Sequence, residues 1–94
     1  MIRLNAFFKV KKDVTPAEVK RLTDELVEKS GQDEGNKGYD LFQSTTSPDV
    51  YMFCESWENG EVLDRHSKTE HFVRIVGELS KLIEGELSIE RFDK

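Results

Sequence analysis

The sequence predicts an α+β fold of the ferredoxin-like kind: a β-α-β-β-α-β succession whose four-stranded antiparallel sheet carries its helices on one face. Three observations predict it. Apolar residues near the N-terminus recur with a period of two. From Thr15 onward they recur at helical spacing, behind a full set of helix-start signals. Two further strand-like runs follow, and after Trp57 the period returns to three and four before one last alternating segment.

Ile2, Leu4, Ala6, Phe8 and Val10 alternate with Arg3, Asn5, Phe7, Lys9 and Lys11, which reads as a strand with the even positions on its more apolar face. Phe7 interrupts the polar side, so both faces are expected to be at least partly covered. Val14-Thr15-Pro16-Ala17-Glu18-Val19 places Thr15 at the N-cap, Pro16 at the first helical position and Glu18 at the reciprocal capping position. Val14 and Val19 then close a hydrophobic staple, and Val19, Leu22, Leu26 and Val27 form the stripe of a helix over 16–30, stopped by Gly31. Residues 31–38 read as a loop, and Tyr39–Ser44 and Val50–Trp57 as an antiparallel hairpin turned at Thr45-Thr46-Ser47-Pro48-Asp49. On its second strand Tyr51, Phe53, Glu55 and Trp57 share one face, and Met52, Cys54 and Ser56 the other.

Glu58-Asn59-Gly60-Glu61 opens a short helix carrying Val62, Leu63 and His66. A longer helix carries Phe72, Ile75, Val76, Leu79, Leu82 and Ile83 and ends at Gly85, with a final strand over Glu86–Arg91. Helices on one side leave the other side of the sheet open. That side is expected to present Ile2, Leu4, Ala6, Phe8, Met52 and Cys54, an apolar surface that pairs with a second copy of the chain.

Composition narrows the function. The 94 residues make a single domain, 1–94. Fourteen Lys+Arg against 19 Asp+Glu are scattered, which excludes the dense positive face of a nucleic-acid binder. A single cysteine, Cys54, excludes an internal disulfide and a Cys-rich zinc site. No apolar run is long enough for a membrane span and no signal-peptide core follows Met1, so a cytoplasmic protein is expected.

Gly35-Asn36-Lys37-Gly38 does not open a helix after a strand and reads as a plain loop rather than a phosphate cradle. His66 and His71 are five residues apart across a helix junction, whereas a metal-binding pair on one helix prefers three or four, so no metal is expected. An imidazole titrating near neutrality instead suits proton transfer; the bland reading is a helix cap or a bond to backbone. Trp57 either fills core or offers its indole N–H to a partner. Asn5 faces solvent or a wet cavity where it orients a polar ligand. Cys54, with no basic neighbour in sequence, reads as a small buried filler.

These residues together resemble the antibiotic biosynthesis monooxygenase (ABM) domain proteins of the dimeric α+β barrel superfamily, which include small quinol monooxygenases. The resemblance covers nearly the whole chain. It rests on Asn5, Gly38-Tyr39-Asp40-Leu41-Phe42-Gln43, Phe53-Cys54-Glu55-Ser56-Trp57, Leu63-Asp64-Arg65-His66 and Thr69-Glu70-His71-Phe72. It implies a homodimer through the open sheet face and one pocket per subunit between sheet and helices. It also implies oxygenation of a small quinol or polyphenolic aromatic by molecular oxygen, with no cofactor, metal or flavin. His66 or His71 would be the base, Asn5 and Trp57 would position the reacting oxygen atoms, and Phe7, Phe53 and Phe72 would wall the pocket with Glu55 contacting substrate. Haem-degrading relatives need a histidine farther along the last helix, and the residues around Ile75 and Val76 offer none. Other relatives isomerise a phosphorylated signalling sugar, for which Arg65 or Arg74 would supply charge, or bind small molecules without catalysis as stress-response dimers.

Overall fold

Strand β1 (Ile2–Val10) lies inside the sheet, bonded along both edges: antiparallel to β3 (Val50–Trp57) on one side and to β4 (Ile83–Asp93) on the other. Strand β2 (Asn36–Gln43) pairs outside β3, giving the order β2-β3-β1-β4. The computed structural model covers residues 1–94. Helices α1 (Pro16–Gly31), α2 (Gly60–Ser67) and α3 (Glu70–Leu79) complete the expected ferredoxin-like arrangement. No helix is long and apolar enough to cross a membrane.

Register decides which side of the sheet the helices cover. Ile2 stands opposite Trp57, Ala6 opposite Phe53 and Phe8 opposite Tyr51. The even positions of β1 therefore share a face with the odd positions of β3, because facing residues of a ladder project to the same side. Ile2, Ala6, Phe8 and Val10 are buried with Tyr51, Phe53 and Trp57, and the Phe8 and Tyr51 rings stack with centroids 5.3 Å apart. Val19, Leu26, Ile75 and Leu79 from α1 and α3 close this core. The expected open-face set is thus corrected: Met52 and Cys54 belong to it, whereas Ile2, Leu4, Ala6 and Phe8 lie on the helix side. Arg3, Asn5 and Phe7 take their place, with Phe42 and Phe92 exposed on the flanking strands. Cys54 is half-buried, and the Arg3 guanidinium donates to its Sγ at 3.1 Å, so the thiol has the basic neighbour that chain order conceals.

The start of α1 follows its sequence signals. The Thr15 hydroxyl accepts from the Glu18 backbone N–H at 3.2 Å, and the Glu18 carboxylate accepts from the Thr15 N–H at 3.1 Å. Three boundaries differ from expectation by three residues or more: the starts of β2 and β4 and the end of α3. Strand β2 begins at Asn36 because Asn36 and Gly38 join the ladder through an irregularity, with the Gly38 N–H bonded to Asn36 Oδ1 at 3.0 Å. Helix α3 stops at Leu79, and Ile83 already pairs with Val10 as the first residue of β4. Gly85 therefore lies within β4, at a φ of +68° near a shift of register against β1, rather than at a helix end.

Gly35 fixes the loop that enters β2. Its φ is +78°, and a Cβ there would lie 2.6 Å from Val62 Cγ2 on α2. Left-handed backbone and overpacking act together, so Gly35→Ala is expected to lower stability by about 2–4 kcal/mol. Urea denaturation of the two proteins measures this, and an unchanged midpoint would show that the loop is not held against α2.

Candidate functional site

Helix α2 is short and capped at both ends. Asn59 Oδ1 accepts from the Val62 N–H at 3.0 Å, which starts the helix with Val62 and His66 on its buried side. At the far end Thr69 caps α3, its hydroxyl accepting from the Phe72 N–H at 3.3 Å and donating to the His66 carbonyl at 2.8 Å. The helix is interrupted at Lys68 and Thr69, so the five-residue spacing of the histidines is not measured around one continuous helix. Their ring centroids stand 6.2 Å apart.

Asp33 joins them. His66 Nδ1 lies 2.7 Å and His71 Nε2 3.0 Å from the same carboxylate oxygen, Oδ2. Nothing in the sequence separates Asp33 from its neighbour Glu34, which turns outward to Arg65 at 3.0 Å. Only the closure of the 32–35 loop onto α2 distinguishes them. With both rings donating to Asp33, His66 is the Nδ1–H tautomer and its Nε2 carries a lone pair. That Nε2 is buried without a hydrogen-bond partner. His66 is 2% exposed, its ring centroid 4.4 Å from that of Trp57 and 4.9 Å from that of Phe72, which it meets edge-on. Burial holds its imidazole below the ordinary value, against the hydrogen bond and charge of Asp33.

The second polar centre is Glu55. It is 6% exposed, and Trp57, fully buried behind it, donates its indole N–H to Oε1 at 2.9 Å. Burial pushes the carboxyl up to about 7, and the Trp57 bond only partly offsets this. Burial, aided by the Glu55 charge, also raises the Tyr39 hydroxyl above its ordinary value.

Glu55 and His66 both line a cavity of about 280 Å³ between the sheet and helices α2 and α3. Leu4, Tyr39, Phe53, Leu63, Phe72 and Leu87 form much of its apolar wall, and Arg91 is the one cationic side chain on it. The expected site residues His66, Glu55, Phe53 and Phe72 are thus brought together, with Trp57 behind them. His71 stands outside the wall and reaches His66 through Asp33. Asn5 and Phe7 are corrected: both are odd positions of β1 and project from the opposite side of the sheet, where Asn5 Nδ2 donates to Glu90 at 3.3 Å. Neither can position substrate in this cavity. Tyr39, Leu63 and Asp33 are additions that periodicity alone does not single out.

Two imidazoles and a carboxylate with donor atoms within 4.8 Å of one another are also a ligand set suited to Zn²⁺ or Fe²⁺. The two ring nitrogens stand 2.7 and 3.0 Å from Asp33 Oδ2, within hydrogen-bond range.

Comparison with known proteins agrees with this fold. The family model described as antibiotic biosynthesis monooxygenase matches residues 1–78. The Bacillus subtilis (strain 168) protein named "Putative monooxygenase YcnE" is 31% identical over 91 residues, which are 97% of this chain and 95% of that one. The crystal structure of a conserved protein from Bacteroides thetaiotaomicron VPI-5482 is 40% identical, with a TM-score of 0.89 over 99% of this chain and 96% of the other. A crystal structure described as an antibiotic biosynthesis monooxygenase is 31% identical, with a TM-score of 0.92 over 100% and 98% of the two chains. The family match runs from β1 almost to the end of α3 and takes in Glu55, Trp57 and His66, so this chain belongs to the antibiotic biosynthesis monooxygenase family.

Proposed function

We propose that this protein oxygenates a small quinol or polyphenolic aromatic with molecular oxygen, without recruiting a metal or flavin, and works as a homodimer. The observation that carries the reading is a buried imidazole and a buried carboxyl set into a largely apolar cavity. At about 280 Å³ the cavity is at the lower end of small-molecule sites, which suits a compact ring system. A quinol carries its own reducing electrons: quinol plus O₂ balances as hydroxyquinone plus water, so no external reductant is needed.

His66 Nε2 takes a proton from a ring hydroxyl, the resulting oxyanion passes an electron to O₂, and the radical pair combines into a ring hydroperoxide. Loss of water leaves the oxidised ring. His66 is held below, and Glu55 raised above, its ordinary value. Near pH 7 this leaves the imidazole neutral and ready as base, while much of Glu55 is protonated and ready to give its proton to the departing oxygen. Trp57 holds one Glu55 oxygen and leaves the other for substrate. The apolar wall strengthens these interactions by excluding water.

The sugar-phosphate isomerase reading draws no support from the two arginines considered for it. Arg65 is bound to Glu34 and Glu61, Arg74 to Glu25 and Glu70, and neither lines the cavity. The proposed dimer uses the open sheet face, where Phe7, Phe42, Met52 and Phe92 would leave water.

His66→Ala is expected to reduce oxygen uptake on a hydroquinone panel by roughly 10²–10⁴-fold after subtraction of autoxidation. Wild-type uptake no faster than autoxidation across the panel would remove the oxygenase reading. Glu55 generates a stability prediction. Its folded value of about 7 lies above the usual 4.5, so the folded state binds the extra proton between those limits. Its contribution is fully present below about pH 4.5 and is lost as pH rises through about 7, on the order of 3 kcal/mol in all. Denaturant midpoints at pH 5 and pH 8 should therefore differ less in Glu55→Gln than in the wild type. Sedimentation equilibrium at micromolar concentration is expected to give twice the 10.9 kDa chain mass, and a monomeric mass would exclude the proposed pairing.

A further inference from the structure

His66 and His71 compete for one charge. Asp33 Oδ2 is 2.7 Å from one ring and 3.0 Å from the other, and the ring centroids are 6.2 Å apart. A single carboxylate offsets one imidazolium, and a second so near is opposed by the first. The rings also differ in access. His66 lines the cavity and is sealed from solvent, whereas the side chains of His71 and Asp33 remain 14% and 17% exposed.

The other groups around His66 leave this balance to Asp33 and His71. Tyr39 packs beside it from β2, with ring centroids 5.5 Å apart. Trp57 on β3 contacts it and is hydrogen-bonded to Glu55, and Phe72 on α3 is apolar. On its own helix, the Arg65 guanidinium is turned to Glu34 and Glu61.

We propose that Asp33 and His71 are positioning residues for His66 which hold one imidazolium between the two rings, so that a proton accepted by His66 on the cavity side is matched by a proton released from His71 to solvent. In the resting cluster His71 carries the extra proton, and His66 is neutral. When a hydroxyl O–H in the cavity breaks, the new N–H bond forms at His66 Nε2. His71 then loses a proton from Nδ1, which no protein group engages, to water. Asp33 keeps both hydrogen bonds, no electrons move, and the cluster charge is unchanged. The inference rests on the oxygenase reading only for the origin of the cavity proton.

The test needs no substrate. Long-range ¹H–¹⁵N NMR on the full chain follows the imidazole nitrogens against pH. In the wild type His66 is expected to be the neutral Nδ1–H tautomer at pH 7, with each ring's titration curve also showing a step from the other. Protonation of His66 should move up by roughly half to two pH units in His71→Gln and move down in Asp33→Asn. Independent single-step curves in the wild type, or an unmoved His66 in folded His71→Gln, would overturn the proposal. So would tight uptake of one equivalent of Zn²⁺ that displaces the protons from both rings, since the three residues would then serve a cation. In oxygen-uptake assays His71→Gln should lower kcat with KM unchanged, an effect that external imidazole partly reverses. A hydroquinone panel with no turnover removes the proposed reaction and leaves the coupling to be judged by the NMR curves alone.

Discussion

The hydrogen bond between His66 and Asp33 is the constraint around which the site is built. A buried imidazole left without partners is costly, and Asp33 supplies one from a different part of the chain. Because Asp33 lies between α1 and β2 while His66 lies on α2, this one contact pins the loop to the helix. Gly35 lets the backbone turn against Val62, and the Glu58 N–H donates to the Gly35 carbonyl at 2.8 Å, closing the same junction from β3. Helix α2 is thereby clamped over Trp57, with His66 in the cavity wall. The site is a consequence of this junction more than of any single helix or strand.

Charge is arranged differently inside and outside. On the surface, Arg74 spans Glu70 on its own helix and Glu25 on α1, and i,i+4 pairs such as Lys20–Asp24 lie along the exposed sides. Such contacts are solvated and individually modest, so they orient α1 and α3 more than they stabilise them. Arg91, the one cationic residue lining the cavity, is itself paired with Asp93 at 2.8 Å. Inside, Glu55 and His66 are shifted chiefly by burial, in the direction that favours the uncharged form of each.

The two faces of the sheet serve different ends. One is covered by helices and holds the core and the cavity. The other mixes Phe7, Phe42, Met52 and Phe92 with Arg3, Asn5 and Glu90, a composition closer to an interface than to an interior. Asn5 and Trp57, grouped by the family pattern, occupy opposite faces because one is an odd position of β1 and the other an odd position of β3, and the antiparallel register pairs odd with even.

Sequence alone determined the element order, the capped start of α1, the hairpin and the identity of the aromatic face of β3. Each follows from interactions within a few residues: the Thr15–Glu18 cap, the period of two in Tyr51, Phe53, Glu55 and Trp57, and the period of three and four in Val19, Leu22 and Leu26. It also singled out His66, Glu55, Phe53 and Phe72, since their residue types and spacing matched a family pattern. What it left open was long-range. The side of the sheet taken by Asn5 and Phe7 depended on the register between strands some fifty positions apart, as in the pairing of Asn5 with Cys54. The end of α3 depended on Ile83 finding Val10. The role of Asp33 depended on a loop folding back onto a helix more than thirty residues later, which only the tertiary structure could decide because no local periodicity records a hydrogen bond between distant segments.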